Sequence, residues 1–328
     1  MHPKRALITG ISGQDGSYLA ELLLEKGYEV WGTVKRNSVA ENQTARLNHI
    51  IDDLNLVHAD ITDMASIMRT LQKSRPFEIY NLAAQSHVRI SFDQPIYTTN
   101  TIALGTLNML EGMLALCPDA RYYNAGSSEQ FGLGVDEDNK QRETTPMVPV
   151  SPYGCAKVYA YNLVRNYRKA YTLFASNGIL FNHESPRRGA NFVTAKVVKA
   201  AIAISKGLQK KLPLGNLEAV RDWGHAKDYV RGMWMVLQHR NPLDLVLASG
   251  RTHSVRNLCD IVFTKLGMDY KDYVVFDDKH IRREELPYLM GDASMAKSIL
   301  GWEAETSFDS LLDEMIEHER EACDRRIQ

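Results

Sequence analysis

The sequence predicts an α/β fold: a doubly wound parallel sheet with a smaller, interleaved C-terminal lobe. Three observations carry this expectation. Short apolar runs alternate with helical patterns up to residue 180, the first run ends in a glycine-rich turn, and the alternation weakens after residue 181.

The elements follow in order. Residues 6–9 form an apolar run stopped by Gly10, and 18–26 an amphipathic stretch closed by Gly27, which reads as strand, tight turn, helix and C-cap. Further strands are expected at 29–34, 54–58, 78–82, 120–125 and 175–180, with helices at 65–73, 98–116 and 158–171 between them. Parallel strands need crossovers, so helices cover both faces of the sheet. Beyond 181, helices are expected at 192–206 and 226–239 with a loop at 212–216, and no repeat or low-complexity linker marks a boundary. The expected division is therefore interleaved, with residues 1–181 plus 222–249 in the sheet domain and 182–221 plus 250–328 in the smaller lobe.

Composition narrows the class. A chain of 328 residues with 44% hydrophobic residues buries a substantial core. Thirty-nine basic against forty acidic residues leave a net charge of −1, so no global field favours nucleic acid or an anionic membrane. Anionic ligands must be held by local groups. Cys117, Cys155, Cys259 and Cys323 show no C-x-x-C pair, which points to reduced thiols and a cytoplasmic enzyme. The basic start is followed by an apolar run that stops at Thr9-Gly10, too short for a signal-peptide core. No stretch approaches transmembrane length, and the mean hydropathy is −0.31.

Gly10-Ile11-Ser12-Gly13-Gln14-Asp15-Gly16 sits between an expected strand and an expected helix. The first glycine permits the turn, the second lets backbone approach a pyrophosphate, and the third lets helix and strand pack closely, so the Rossmann-type βαβ unit binds a dinucleotide at the helix N-terminus. At the end of the second strand an NAD enzyme usually carries a carboxylate, whereas Lys35-Arg36-Asn37-Ser38 carries none. Arg36 is therefore expected to pair with a 2′-phosphate, making the cofactor NADP+. Asp60 and Ile61 after the third strand serve either the adenine region or a helix cap.

Ser151-Pro152-Tyr153-Gly154-Cys155-Ala156-Lys157 opens a helix, and the four-residue spacing puts Tyr153 and Lys157 on one face. A neighbouring ammonium favours tyrosinate, which turns a weakly acidic phenol into a usable base. Ala125-Gly126-Ser127-Ser128-Glu129 at the end of the fifth strand adds a hydroxyl and a carboxylate. His183-Glu184 has no second histidine at helix spacing, so no metal is expected. Trp223 and Met233-Trp234-Met235 read as core.

The glycine turn, the serine after a central strand and the Tyr-x-x-x-Lys spacing resemble the extended short-chain dehydrogenase/reductase family, and within its epimerase/dehydratase type the GDP-mannose 4,6-dehydratases. The resemblance runs over essentially the whole chain. It rests on long strings, among them Asn81-Leu82-Ala83-Ala84-Gln85-Ser86-His87-Val88 and Phe181-Asn182-His183-Glu184-Ser185-Pro186-Arg187-Arg188-Gly189, with 9–19, 151–154, 214–217 and 221–229. It departs at Ser127, where the family usually has threonine, at Val150, where arginine is common, and at Arg283, where proline is frequent.

What the resemblance implies is an internal hydride cycle on a GDP-sugar. Tyr153, assisted by Ser127 and Lys157, takes the O4 proton while hydride leaves C4, Glu129 serves as base at C5 and helps eliminate water, and hydride returns to C6. The resemblance further places Leu82, Ala83, Ala84, Ser86, Tyr153, Lys157, His183 and Arg188 at the cofactor. It places Ser86, Ser128, Asn182, Glu184, Lys196, Leu214, Gly215, Arg221 and Arg282 at the substrate, where arginines suit a diphosphate as bidentate partners. It implies a homodimer or homotetramer with no nucleic-acid or membrane partner. A nucleotide-sugar 4-epimerase or 4-reductase would share Ser127, Tyr153 and Lys157 without needing Glu129, a GDP-heptose would fit the same nucleotide contacts, and a redox-sensing regulator is the non-enzyme alternative.

Overall fold

The computed structural model describes residues 4–36, 44–280, 284 and 286–327. Its first half alternates as the apolar pattern requires: β1 (Arg5–Thr9), α1 (Gln14–Glu25), β2 (Glu29–Val34), a 3-10 segment (Ala45–Asp53), β3 (Asn55–His58), α2 (Met64–Ser74) and β4 (Glu78–Asn81). Then come α3 (Val88–Asp93), α4 (Pro95–Thr99), a π-helical segment (Asn100–Leu104), α5 (Gly105–Leu116), β5 (Arg121–Ala125), α6 (Pro152–Tyr171) and β6 (Phe174–Leu180). The second half is more broken, with β7 (Asn182–Glu184), α7 (Val193–Ser205), β8 (Leu212–Leu214), β9 (Val220–His225), α8 (Ala226–Gln238) and β10 (Asp244–Leu247). It ends in β11 (Thr252–Ser254), α9 (Val255–Lys265), β12 (Val274–Phe276), β13 (Tyr288–Leu289), α10 (Ser294–Leu300) and α11 (Phe308–Ile327).

Seven strands form one sheet in the order β10-β6-β5-β4-β1-β2-β3, every pair parallel. The order reverses at β1, the switch point at which ligands of such sheets bind beyond the strand C-termini. One face packs under α1 and α8 around Leu19, Val230 and Met233, the other under α2, α5 and α6 around Leu71, Leu110 and Val164. A row of polar residues crosses the sheet interior. Thr9, Asn81, Asn124, Asn177 and Asp244 are register partners on five successive strands and are linked by side-chain hydrogen bonds of 2.8, 3.5, 3.0 and 2.8 Å. Shifting any strand by one residue leaves these buried groups without partners, so the row fixes register.

The smaller lobe has its own core, in which α7, α9 and α11 enclose Val197, Phe263, Leu312 and the stacked pair Trp223 and Phe308. Its sheet centres on β9, which pairs with β7, β11 and β13, and β8 pairs with β12. Three expectations shift. The loop at 212–216 begins as β8, the boundary at 222 falls inside β9, and the helix at 98–116 contains a π turn. Short strands of two or three residues leave no period to read. Among the described residues no helix is long and apolar enough to cross a membrane, and the four cysteines are unpaired.

Candidate active site

A cleft of about 1070 Å³ runs from the C-terminal edge of the large sheet into the smaller lobe. That is at the top of the roughly 300–1,000 Å³ range of small-molecule sites.

The glycine turn forms the floor at the sheet end. Gly10 adopts φ +70°, and a Cβ on Gly16 would fall 2.5 Å from the Gly10 carbonyl oxygen, so bare backbone is required at both positions. Ser12, Gly13, Gln14 and Asp15 also line the cleft, and α1 has no side-chain cap, leaving its first N–H groups for a ligand. The turn is gripped by the segment after β6. Gln14 Nε2 donates to the His183 carbonyl at 3.1 Å, Ser185 Oγ donates to Gln14 Oε1 at 2.8 Å, and His183 Nε2 lies 2.8 Å from Asp15 Oδ2.

Beside the turn, Ile61, Leu82, Ala83, Ala84 and Ser86 line the cleft. Asp60 lines the cleft and accepts from Thr62 N and Oγ1 at 2.9 and 2.8 Å, but the cap of α2 is Asp63, which accepts from Ala65 N at 3.0 Å. The other partner of Asp60 is Lys35 Nζ at 2.8 Å, a contact that raises the lysine; burial pushes the Asp60 carboxyl up, but Lys35 and the Thr62 hydrogen bonds together lower it. Arg36 is exposed and lies outside the lining. A cation unmarked by sequence reasoning, Arg46, lines the cleft instead, its guanidinium donating to the Arg187 and Ser12 carbonyls at 2.9 and 3.2 Å. Nothing local singles it out, because the 3-10 segment must first fold back over the turn.

The middle of the cleft gathers Ser127, Glu129, Tyr153 and Lys157 from two elements. Ser127 caps the short 3-10 turn after β5, its hydroxyl accepting from Glu129 N at 3.3 Å, and this aims the Glu129 carboxylate into the same space as the α6 pair. Ser151 caps α6 by accepting from Gly154 N at 3.0 Å, so the helix opens at Pro152, ahead of the periodic stretch 158–171. Lys157 Nζ donates to the Ala125 carbonyl at 2.6 Å, tying α6 to the end of β5. Contrary to the expected tyrosinate, burial pushes Tyr153 up to about 12, with the Ser127 hydroxyl working against it and Glu129 adding to it. Lys157 is pushed down to about 8, again by burial. Its Nζ stands 5.7 Å from the Tyr153 ring centre, too far to offset desolvation.

The lobe end is lined by Asn182, Glu184, Arg188, Lys196, Leu214, Gly215 and Arg221. Glu184 is buried, bonded by the Thr194 hydroxyl and 3.0 Å from Arg188 Nε. Arg188 also lies over the Phe192 ring. Lys196 Nζ donates to the Pro213 carbonyl at 2.7 Å, and burial lowers its pKa. Arg221 is held deep in β9, one NH donating to the Val220 carbonyl. Ser128, expected at the sugar, is 1% exposed and does not reach the lining, because alternation along the turn sends it inward. Arg282 lies outside the described residues, as do Asn37 and Ser38. His87, Tyr97, Asn191, Phe192 and Val255 join the lining without having been singled out, as does Trp223, read from sequence only as core. Among the described residues no group of three His, Cys, Asp or Glu side chains is placed to hold a metal.

A family model described as GDP-mannose 4,6 dehydratase matches residues 7–315. The chain is 48% identical to GDP-mannose 4,6 dehydratase 2 of Arabidopsis thaliana, over 98% of this chain and 88% of that protein. It is 45% identical to the human GDP-mannose 4,6 dehydratase, over 95% and 90%. Among solved structures, the UDP-glucose 4-epimerase of Thermotoga maritima with UDP-glucose superposes with a TM-score of 0.86 at 24% identity, covering 97% of this chain and 99% of that one. The dTDP-glucose 4,6-dehydratase of Bacillus anthracis in complex with NAD gives 0.84 at 21% identity, covering 99% and 100%. At those identities the structural matches speak for the fold alone.

Proposed function

Because this chain belongs to the GDP-mannose 4,6-dehydratase family, we propose that it is a hydro-lyase converting GDP-α-D-mannose to GDP-4-dehydro-6-deoxy-α-D-mannose and water. A nicotinamide dinucleotide occupies the sheet end of the cleft and the nucleotide sugar the lobe end. The residues fit such a cofactor: Gly10 and Gly16 keep the turn bare, and the uncapped N-terminus of α1 lines the cleft. When bound, the oxidised nicotinamide supplies a hydride acceptor for the sugar C4 and later a donor for C6.

The chain's own groups handle the protons. Burial pushes the Tyr153 phenol up to about 12, and a positive charge beside it favours the basic form. Tyr153 then accepts the O4 proton, with Ser127 bonded to it. The 4-ketone acidifies C5–H, Glu129 removes that proton, and the same carboxyl delivers it to the hydroxyl leaving C6 as water. As hydride adds at C6, the proton held by Tyr153 is returned at C5, so the site ends as it began. The product is a GDP-6-deoxyhexose precursor.

One observation carries this reading: Glu129 lines the same cleft as Ser127, Tyr153 and Lys157. A simple dehydrogenase needs no such carboxylate. Replacing Glu129→Gln tests it by product analysis with GDP-mannose. Formation of 6-deoxy product falls by about 10²–10⁴-fold while dinucleotide affinity persists; an active variant overturns the role.

The dinucleotide is NADP+ in this reading. Support comes from Lys35 and Arg46 in the lining and from the absence of a carboxylate among the described residues that follow β2, Lys35 and Arg36. The chain works as a homodimer or homotetramer, a reading supported by the exposed apolar side chains Ile96, Tyr97 and Tyr159 on the adjoining helices α4 and α6. A reducing, cytoplasmic compartment suits its unpaired thiols.

A further inference from the structure

A carboxylate in the first turn of an anion-binding helix competes with the ligand that the helix end attracts. Asp15 stands there, in the first turn of α1, and lines the cleft. Its partner is His183, at the start of the smaller lobe.

Both ring nitrogens of His183 face atoms that only accept. Nε2 lies 2.8 Å from Asp15 Oδ2, and Nδ1 lies 2.7 Å from the Phe181 carbonyl oxygen. A neutral imidazole carries one N–H and would leave one of these short contacts lone pair against lone pair. The ring also stacks on Tyr229, with centroids 4.6 Å apart and planes at 21°, an aromatic face that favours a cation. Two other charges face the pair: Arg188, from the segment after β7, which Glu184 meets at 3.0 Å, and Lys157 on α6, which interacts with Asp15. A protonated Asp15 donating to a neutral ring is the wrong state: burial opposes ionisation, but the His183 contacts outweigh it and hold the carboxyl at about 2.

We propose that His183 is an imidazolium that neutralises Asp15 inside the phosphate-binding turn, and that this pair, braced by Gln14 and Ser185, positions the dinucleotide pyrophosphate. His183 is thus a positioning residue. It lets a helix end carry an aspartate that reaches across to β7 without repelling phosphate, and so ties the cofactor floor to the strand that opens the substrate lobe. The proposal rests on reading the sheet end as a nicotinamide dinucleotide site.

The test is a double-mutant cycle read by titrating nucleotide-free protein with NADP+, by calorimetry or fluorescence. His183→Gln keeps a donor towards Asp15 but removes the charge, and dinucleotide affinity falls about tenfold or more, equivalent to ~1.4 kcal/mol. Adding Asp15→Asn restores affinity to within about threefold of the parent, because the uncompensated anion is gone. Asp15→Asn alone binds at least as well as the parent, which keeps the test alive if H183Q does not fold. A double variant no tighter than H183Q, unchanged binding in H183Q, or a large loss in D15N overturns the proposal. A parent that binds neither NADP+ nor NAD+ overturns the functional reading instead.

Discussion

Tyr153 and Lys157 lie one turn apart on α6, yet Lys157 gives its Nζ to the Ala125 carbonyl and stays 5.7 Å from the Tyr153 ring centre. Asp15 and His183 are separated by 168 positions, yet touch at 2.8 Å. In the first pair burial decides, driving the phenol up to about 12 and the ammonium down to about 8, each towards neutrality. In the second, contact outweighs burial, so Asp15 falls to about 2 and His183 rises. Direct charge-assisted contact offsets desolvation, whereas a gap of several ångströms does not. One pair is thereby set up to move protons and the other to hold charge.

Four substitutions would break or sharpen that contrast. The largest effect is expected for Tyr153→Phe, which removes the proton-carrying oxygen: turnover of GDP-mannose drops about 10³-fold while NADP+ affinity is unchanged, by kcat and titration. A comparable loss of binding would mean that Tyr153 holds charge as well. Next is His183→Ala, which strands a carboxylate and costs about 3 kcal/mol of stability by chemical denaturation. A cost near zero would place the pair with the proton movers. Lys157→Met has the opposite sign: a buried cation is replaced by an apolar chain, and stability rises by about 1 kcal/mol although activity is lost. The smallest is Arg46→Ala, which lowers the preference for NADP+ over NAD+ about fivefold in competitive titration, ~1 kcal/mol.

The pH dependence separates the pairs in the same way. The raised His183 contributes stability that is fully present below its unfolded value of 6.5 and is lost as pH rises through its folded value. The lowered Asp15 contributes stability present above 3.8 that is lost as pH falls towards about 2. Lys157, depressed from 10.5 to about 8, imposes a penalty at lower pH that is relieved between those values. Melting curves of the two variants should therefore converge on the parent from opposite sides as pH rises, H183Q from below and K157M from above.

Much of this was legible beforehand. The strands β1 to β6 announced themselves by apolar runs, and Gly10, Gly13 and Gly16 by spacing, because both signals are local. Ser127, Glu129, Tyr153 and Lys157 were readable as motif members, and the fold brings all of them to one cleft. Ser128 was misplaced because the twist of a single 3-10 turn decides which of two adjacent serines faces inward. Arg46 was missed and Arg36 favoured because adjacency to a strand end is visible in a chain and a segment folding back over the turn is not.

By itself the sequence determined the period of the elements, the bare backbone of the phosphate turn and the kinds of chemical group available, all properties of neighbouring residues. The tertiary structure alone decided which charges survive burial. Protonation depends on distances between atoms far apart in the chain, and it took the crossing from Asp15 to His183 to turn a carboxylate at a phosphate site into half of a neutral pair.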